Sequence, residues 1–187
     1  MEENAIQACL DEMHRRARLG RRLYFTPQSA CLQPLAAQFE LAKHRTLVLW
    51  AFEFAEKAVK ILSGRYRGET RFRLALNICK DWAAGGSSLR EARGAILRVH
   101  AFAKETDNRD HIALSHALGQ GLSVVHTRKH ALGFPLYDLT AIVHRHGIAA
   151  CARALEYRLW QYADRLTWWR DHTDDHPGPW AEFLLRD

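Results

Sequence analysis

The sequence predicts an all-α fold, a single bundle of about six or seven helices. Three observations predict it. Apolar residues recur with helical spacing along almost the whole chain, while alternation of period two never extends beyond a few residues and no internal repeat is visible. Helix boundaries are written in the chain, most clearly by the Ser88-Leu89-Arg90-Glu91 capping box and by Gly85-Gly86 before it. The 187 residues, 48% hydrophobic and 26% charged, have an ordinary globular composition and enough length to bury a core without staples.

The elements follow in order. Residues 5–20 form a first helix with Ile6, Cys9, Leu10 and Met13 on one side and Gly20 at its end. Thr26–Pro34 is a loop, because two prolines in nine residues break regular structure. This loop divides an N-terminal arm, residues 1–35, from the main bundle, residues 36–187. A second helix runs from Ala36 to Leu62. Its Leu47–Phe52 turn is apolar on every side and belongs at the centre of the core. Glu53–Lys57 and Glu56–Lys60 are i, i+4 pairs in the favourable order, and Ser63-Gly64 stops the helix.

The third helix, Thr70–Ala84, shows Phe72, Ala75, Leu76, Cys79, Trp82 and Ala83 on its apolar face. The fourth follows the capping box to Lys104, with Leu89, Ala92, Ile96, Val99 and Ala103 on one stripe. Thr106-Asp107-Asn108 caps the fifth, which runs from Arg109 to about His130. Pro135 then sits in the first turn of a sixth helix ending at His146, with Gly147 as the stop. The seventh spans 148–170. Ile148, Ala152, Leu155, Leu159, Tyr162, Leu166 and Trp169 make three heptads of a seam that packs along the bundle or, alternatively, forms a homodimer. The tail has two prolines followed by Trp180, Phe183, Leu184 and Leu185, and is expected to fold back to bury them.

Bulk properties narrow the function. The apolar run Leu47–Phe52 is too short to cross a bilayer, and the N-terminus mixes both charge signs instead of showing a signal pattern, so no membrane and a cytoplasmic location are expected. Cys9, Cys31, Cys79 and Cys151 form no C-x-x-C pair and read as idle thiols of a reducing compartment. The net charge of +6 is concentrated in His14-Arg15-Arg16-Ala17-Arg18-Leu19-Gly20-Arg21-Arg22. That patch lacks aromatic interleaving apart from Tyr24 and Phe25 just after it, so a solvated basic arm is favoured over a nucleic-acid site.

The fifth helix is the unusual one. Leu114, Ala117, Leu118, Gly121, Leu122 and Val125 form its apolar stripe, while His116, Gln120, Ser123, His126, Thr127 and His130 face the other way. Neutral hydrogen-bonding groups interleaved with Ala117, Gly119 and Gly121 describe a polar seam pressed against other helices, where every donor needs a partner. His126 and His130 have a spacing that can hold a metal, but there is no H-E-x-x-H or E-x-x-H motif and Asp138 and His116 could complete a set only by accident of folding, so no metal site and no cofactor are assigned. No serine lies in G-x-S-x-G and no glycine-rich phosphate loop follows a strand, so no catalytic residue is assigned. Arg71 and Arg73 open the third helix, and Arg90 and Arg93 the fourth, where the helix dipole disfavours cations. They read either as surface charge or as anchors to a neighbouring helix or protein.

The ordered tract Arg71-x-Arg73, Ala75, Trp82, Gly85, Arg90-Glu91-Ala92-Arg93, Ala95, His100-Ala101, Ala103, Ala117, Gly119-Gln120, His126, His130-Ala131, Gly133 and Tyr137 resembles the bacterial immunity protein family with an Imm-5-like domain. The resemblance covers about residues 39–147, with a looser echo at Glu156 and Trp160-Gln161. It implies an all-α bundle that neutralises a cognate bacterial toxin by binding it, without a reaction of its own. The chain departs from the family in its flanking arms, in Phe72 where a proline is commoner, and in its basic charge, which argues against a nuclease as the toxin.

Arg71, Arg73, Trp82, Arg93, His100, His116, Gln120, His126, His130 and Tyr137 are therefore expected to form one polar constellation, structural or binding. The competing reading is an enzyme or small-ligand binder whose pocket lies on that same His/Gln/Arg face, since bundles do build sites between facing helices.

Overall fold

Trp50 sits at the middle of the molecule because the Leu47–Phe52 turn has no polar side to show to water. In the computed structural model, which describes residues 3–186, all six of those side chains are buried. The Trp50 ring lies among Phe39, Phe54, Phe134 and Tyr162, and its indole N–H donates to the Tyr162 carbonyl at 3.0 Å. A buried Trp needs such an acceptor, and the backbone of a neighbouring helix supplies it.

Around this centre the described residues form eight α-helices and no strands: α1 (Glu3–Arg18), α2 (Gln33–Leu41), α3 (His44–Arg65), α4 (Arg71–Ala83), α5 (Leu89–Phe102), α6 (Arg109–Ser123), α7 (Gly133–His146) and α8 (Ala152–His172). Short 3-10 turns occupy Ala30–Leu32, Arg128–His130 and Glu182–Leu184. α6 packs against α3, α5 and α7, α4 lies beside α3 and α5, and α8 crosses α3 and α7. α5 starts at the predicted capping box, with the Ser88 side chain accepting from the Glu91 amide and the Glu91 side chain accepting from the Ser88 amide. Asn108 caps α6, accepting from the His111 amide. Pro135 stands in the first turn of α7 and Gly147 ends it.

The long second helix expected over 36–62 is two helices. Ala42 and Lys43 are extended, with ψ of 147° and 151°. Neither residue is a helix breaker, so the break comes from outside the segment. The Arg128 guanidinium donates to the carbonyls of Ala42 at 2.5 Å and Glu40 at 3.3 Å, satisfying acceptors that the end of α2 leaves open. The α3 helix then runs past Ser63-Gly64 to Arg65. Glu53 pairs with Lys57 as expected, but Glu56 is taken by Lys80 of α4 instead of Lys60.

The fifth helix is shorter than predicted. α6 ends at Ser123, and His126, Thr127 and His130 lie in the turns beyond it. Its apolar stripe from Leu114 to Val125 is buried as expected. The seam of the last helix is spent inside the chain: Leu155, Leu159, Tyr162 and Leu166 are buried, while Ile148 lies outside α8 and is exposed. Those four side chains pack along the bundle, the first of the two expected uses, and are not free to form the homodimer seam. The tail does fold back. The Ala181 amide donates to the Ala83 carbonyl at 2.7 Å and Leu184 is buried, but Trp180 is half-buried, Phe183 lies tilted beside Trp82 and stays exposed, and so does Leu185.

Cysteine chemistry also differs from expectation. Cys9 and Cys31 form a disulfide between α1 and the Ala30–Leu32 turn, whereas Cys79 and Cys151 are free and buried. Burial pushes the Cys79 thiol up to about 12, so it is inert near neutral pH. Disulfides persist in oxidising surroundings, so this one weighs against the cytoplasmic expectation. No helix among the described residues is long and apolar enough to cross a membrane.

Candidate functional site, a histidine–glutamine row

Four elements converge on the polar row. α6 carries His116 and Gln120 one turn apart, so both point along one face. α5 supplies His100, the turns after α6 supply His126 and His130, and α7 supplies Tyr137. His100 Nδ1 and His116 Nδ1 lie 2.9 Å apart, and His130 Nδ1 lies 2.8 Å from Gln120 Oε1. An amide oxygen only accepts, so His130 carries its proton on Nδ1. The rings continue the row by contact: His116 with Tyr137 at 5.2 Å, His126 with His130 at 5.4 Å and Trp82 with His126 at 5.9 Å.

Two glycines make the row possible. A methyl group on Gly119 would overlap the His100 imidazole, and one on Gly133 would overlap the Gln120 amide. The Gly119-Gln120 and His130-Ala131-x-Gly133 spacings are therefore packing rules: each glycine is the floor on which a polar side chain lies.

The rings are half-buried rather than sealed. Burial lowers the pKa of His100, His116, His126 and His130. His100 is held down to about 4 by burial and by the neighbouring His116 and His130. His126 is held down to about 4 by burial, then by His130, Arg93 and His44. The His126 Nδ1 atom is buried without a hydrogen-bond partner among the described residues. Near neutral pH this is a row of uncharged donors and acceptors that bind mainly one another.

Trp82 and Arg93 approach the row, Arg93 as an exposed cation close enough to act on His126. Arg71 does not join it. Its guanidinium is held at the start of α4 by Glu69 at 2.6 Å and Glu105 at 2.7 Å, which answers the unfavourable helix dipole with two carboxylates. Arg73 is exposed on the outer side of α4.

Sequence reasoning missed a buried charged cluster on the other side of α7. The Tyr162 hydroxyl donates to Asp138 Oδ2 at 2.5 Å, and Arg158 Nε lies 3.2 Å from the same oxygen. The signal was available: Asp138 is four residues after Phe134 and four before Ile142, in the middle of an apolar stripe. Beside it, Glu53 accepts from Arg165 at 2.8 Å and from the Trp169 indole at 2.8 Å. Burial raises the Glu53 carboxyl, but hydrogen bonds from Lys57, Arg165 and Trp169 outweigh it and hold it below the usual carboxylate range.

Neither of the clefts nearby opens on the row. One, of about 350 Å³, is lined by Phe52, Glu53, Lys80, Trp169 and Trp180 among others. A second, of about 400 Å³, lies between the start of α6 and the end of α7 and is lined by Asn108, Arg109, Asp110, His144 and Arg145. Among the described residues no group of three or more His, Cys, Asp or Glu side chains could hold a metal ion.

A family model described as "Imm-5 like putative immunity protein" matches residues 37–165. That span begins within α2 and ends within α8, so it contains the whole row and the buried Asp138 cluster. No curated protein and no solved structure matches the chain.

Proposed function

Because the chain belongs to the Imm-5-like immunity protein family, we propose that it neutralises a cognate bacterial toxin by binding it, with no reaction of its own. The match over residues 37–165 carries this reading. The disposition of the row supports it. Through Nδ1, His100 and His116 bond each other and His130 bonds Gln120, which suits a seam that joins α5, α6 and the turn after α6. Neither of the two clefts opens on these rings, whereas a general base or ligand-gripping imidazole faces one.

The experiment is affinity purification of the tagged chain from its native host, with mass spectrometry of what stays bound. A secreted polypeptide toxin encoded beside this gene is expected. Co-expression of that toxin with the chain should then restore growth. A small metabolite retained in stoichiometric amount, or toxicity unrelieved at excess chain, would overturn the proposal.

A further inference from the structure

The arginine-rich segment has an architecture that a solvated tail would not need. His14–Arg22 contains five arginines and no acidic residue. It is also pinned. The Cys9–Cys31 disulfide fixes α1, and the buried Met13 meets Cys151 with the sulfur atoms 3.5 Å apart. Arg16 Nε donates to the Leu23 carbonyl at 2.8 Å, closing the turn, and the Tyr24 amide donates to Thr140 Oγ1 at 3.3 Å. The Tyr24 ring lies 5.1 Å from that of His144.

This attachment sets the segment against the last turn of α7, which brings His144, Arg145 and His146. Arg109 and the cleft of about 400 Å³ adjoin it. The molecule matches many of its cations to carboxylates, as in Lys57–Glu53, Lys80–Glu56 and Arg165–Glu53, and at this pole Arg145 is itself held by Asp110 at 2.8 Å. Arg15, Arg18, Arg21 and Arg22 are exposed and make no ion pair among the described residues. Leu19, 63% exposed, stands among them.

We propose that this basic pole, built by the end of α1, the 19–24 loop and the end of α7, is the surface that docks an acidic face of the toxin. The proposal rests on the immunity reading. Charge complementarity selects the partner's chemistry, and a backbone already pinned by the disulfide and the Arg16–Leu23 bond has less freedom left to lose on binding. A protein fits better than a nucleic acid. The aromatic residues beside the arginines, Tyr24 and Phe25, are buried and offer no base a stacking platform, whereas the exposed apolar Leu19 within the cationic ring suits a protein contact.

The test compares the full chain with the Arg15/Arg18/Arg21/Arg22→Glu variant, whose fold is checked by its melting curve. The direct probe is poly-glutamate, set against single-stranded DNA, duplex DNA and phosphatidylserine vesicles. The chain should bind poly-glutamate with an affinity that falls as salt rises, and the variant should bind about tenfold or more weakly. Equal binding by the variant, or tighter binding of DNA or vesicles than of poly-glutamate, overturns the proposal. With the toxin recovered by co-purification, the variant should fail to protect. If chain and variant protect equally, the pole is not the docking surface and the immunity reading stands. If the chain itself does not protect, the immunity reading fails and the surface is no toxin site.

Discussion

The Nδ1 atoms of His100 and His116 lie 2.9 Å apart, so each ring is the other's hydrogen-bond partner across the α5–α6 contact. One ring must present N–H and the other a lone pair. The pair tolerates one added proton and resists two.

A pH dependence follows. The folded pKa values of His100 and His126 are lowered to about 4 from an ordinary 6.5, and those of His116 and His130 are also lowered. In acid the unfolded chain takes up protons that the folded chain refuses. Stability is therefore fully present above the unfolded value and is lost as pH falls from about 6.5 toward 4. Each such group can contribute a slope of up to about 1.4 kcal/mol per pH unit. Urea melts across that window should fall, and a flat profile would mean that the rings are not held neutral.

Gly119→Ala should destabilise the protein by about 1–3 kcal/mol, because the new methyl has nowhere to go but into the His100 ring. Gly94→Ala in α5 is the control. Its nearest neighbour is the flexible end of Arg98 at 3.6 Å, so helix propensity should dominate and stabilise by about 0.5–1 kcal/mol. Thermal melts of the two variants should move in opposite directions.

Gln120→Leu should lower stability by about 1–3 kcal/mol, since it leaves the His130 N–H without its acceptor. Gln120→Glu keeps an acceptor and should cost less. An unchanged melting temperature for the leucine variant would show that water replaces the amide without loss.

Asp138→Ala should cost about 3–5 kcal/mol by stranding the Arg158 guanidinium and the Tyr162 hydroxyl in the interior. Tyr162→Phe removes one donor and keeps the ring packing, so its cost should be about 1–2 kcal/mol. A double-mutant cycle in denaturant melts should give a coupling well above zero.

Reduction of the Cys9–Cys31 bond should lower stability by about 3 kcal/mol, the loop-closure value for a separation of 22 residues. Melts with and without a phosphine reductant measure it. The Met13 and Phe25 side chains should keep the arm docked, so far-ultraviolet dichroism should change little before the melt.

The sequence alone determined the helical class, the burial of Leu47–Phe52, the Ser88 and Asn108 caps and the inward face of α4, because each rests on neighbours within two turns of one helix. It also marked His116, Gln120, His126 and His130 as an unusual polar set, since neutral polar groups among glycines and alanines do not suit a solvated face, while His100 and Tyr137 came in with the resemblance. Tertiary structure alone decided the rest. The break at Ala42-Lys43 comes from Arg128, far along the chain, and the end of α6 comes with the Val124 carbonyl facing His44 Nε2 at 2.6 Å. Arg71 left the row because Glu69 and Glu105 hold it elsewhere, and Asp138 was placed against Tyr162 by the crossing of α7 and α8. Local pattern reports which face of a helix is apolar. Which distant group satisfies a carbonyl, a carboxylate or an imidazole depends on how the helices cross, and no spacing within one helix encodes that.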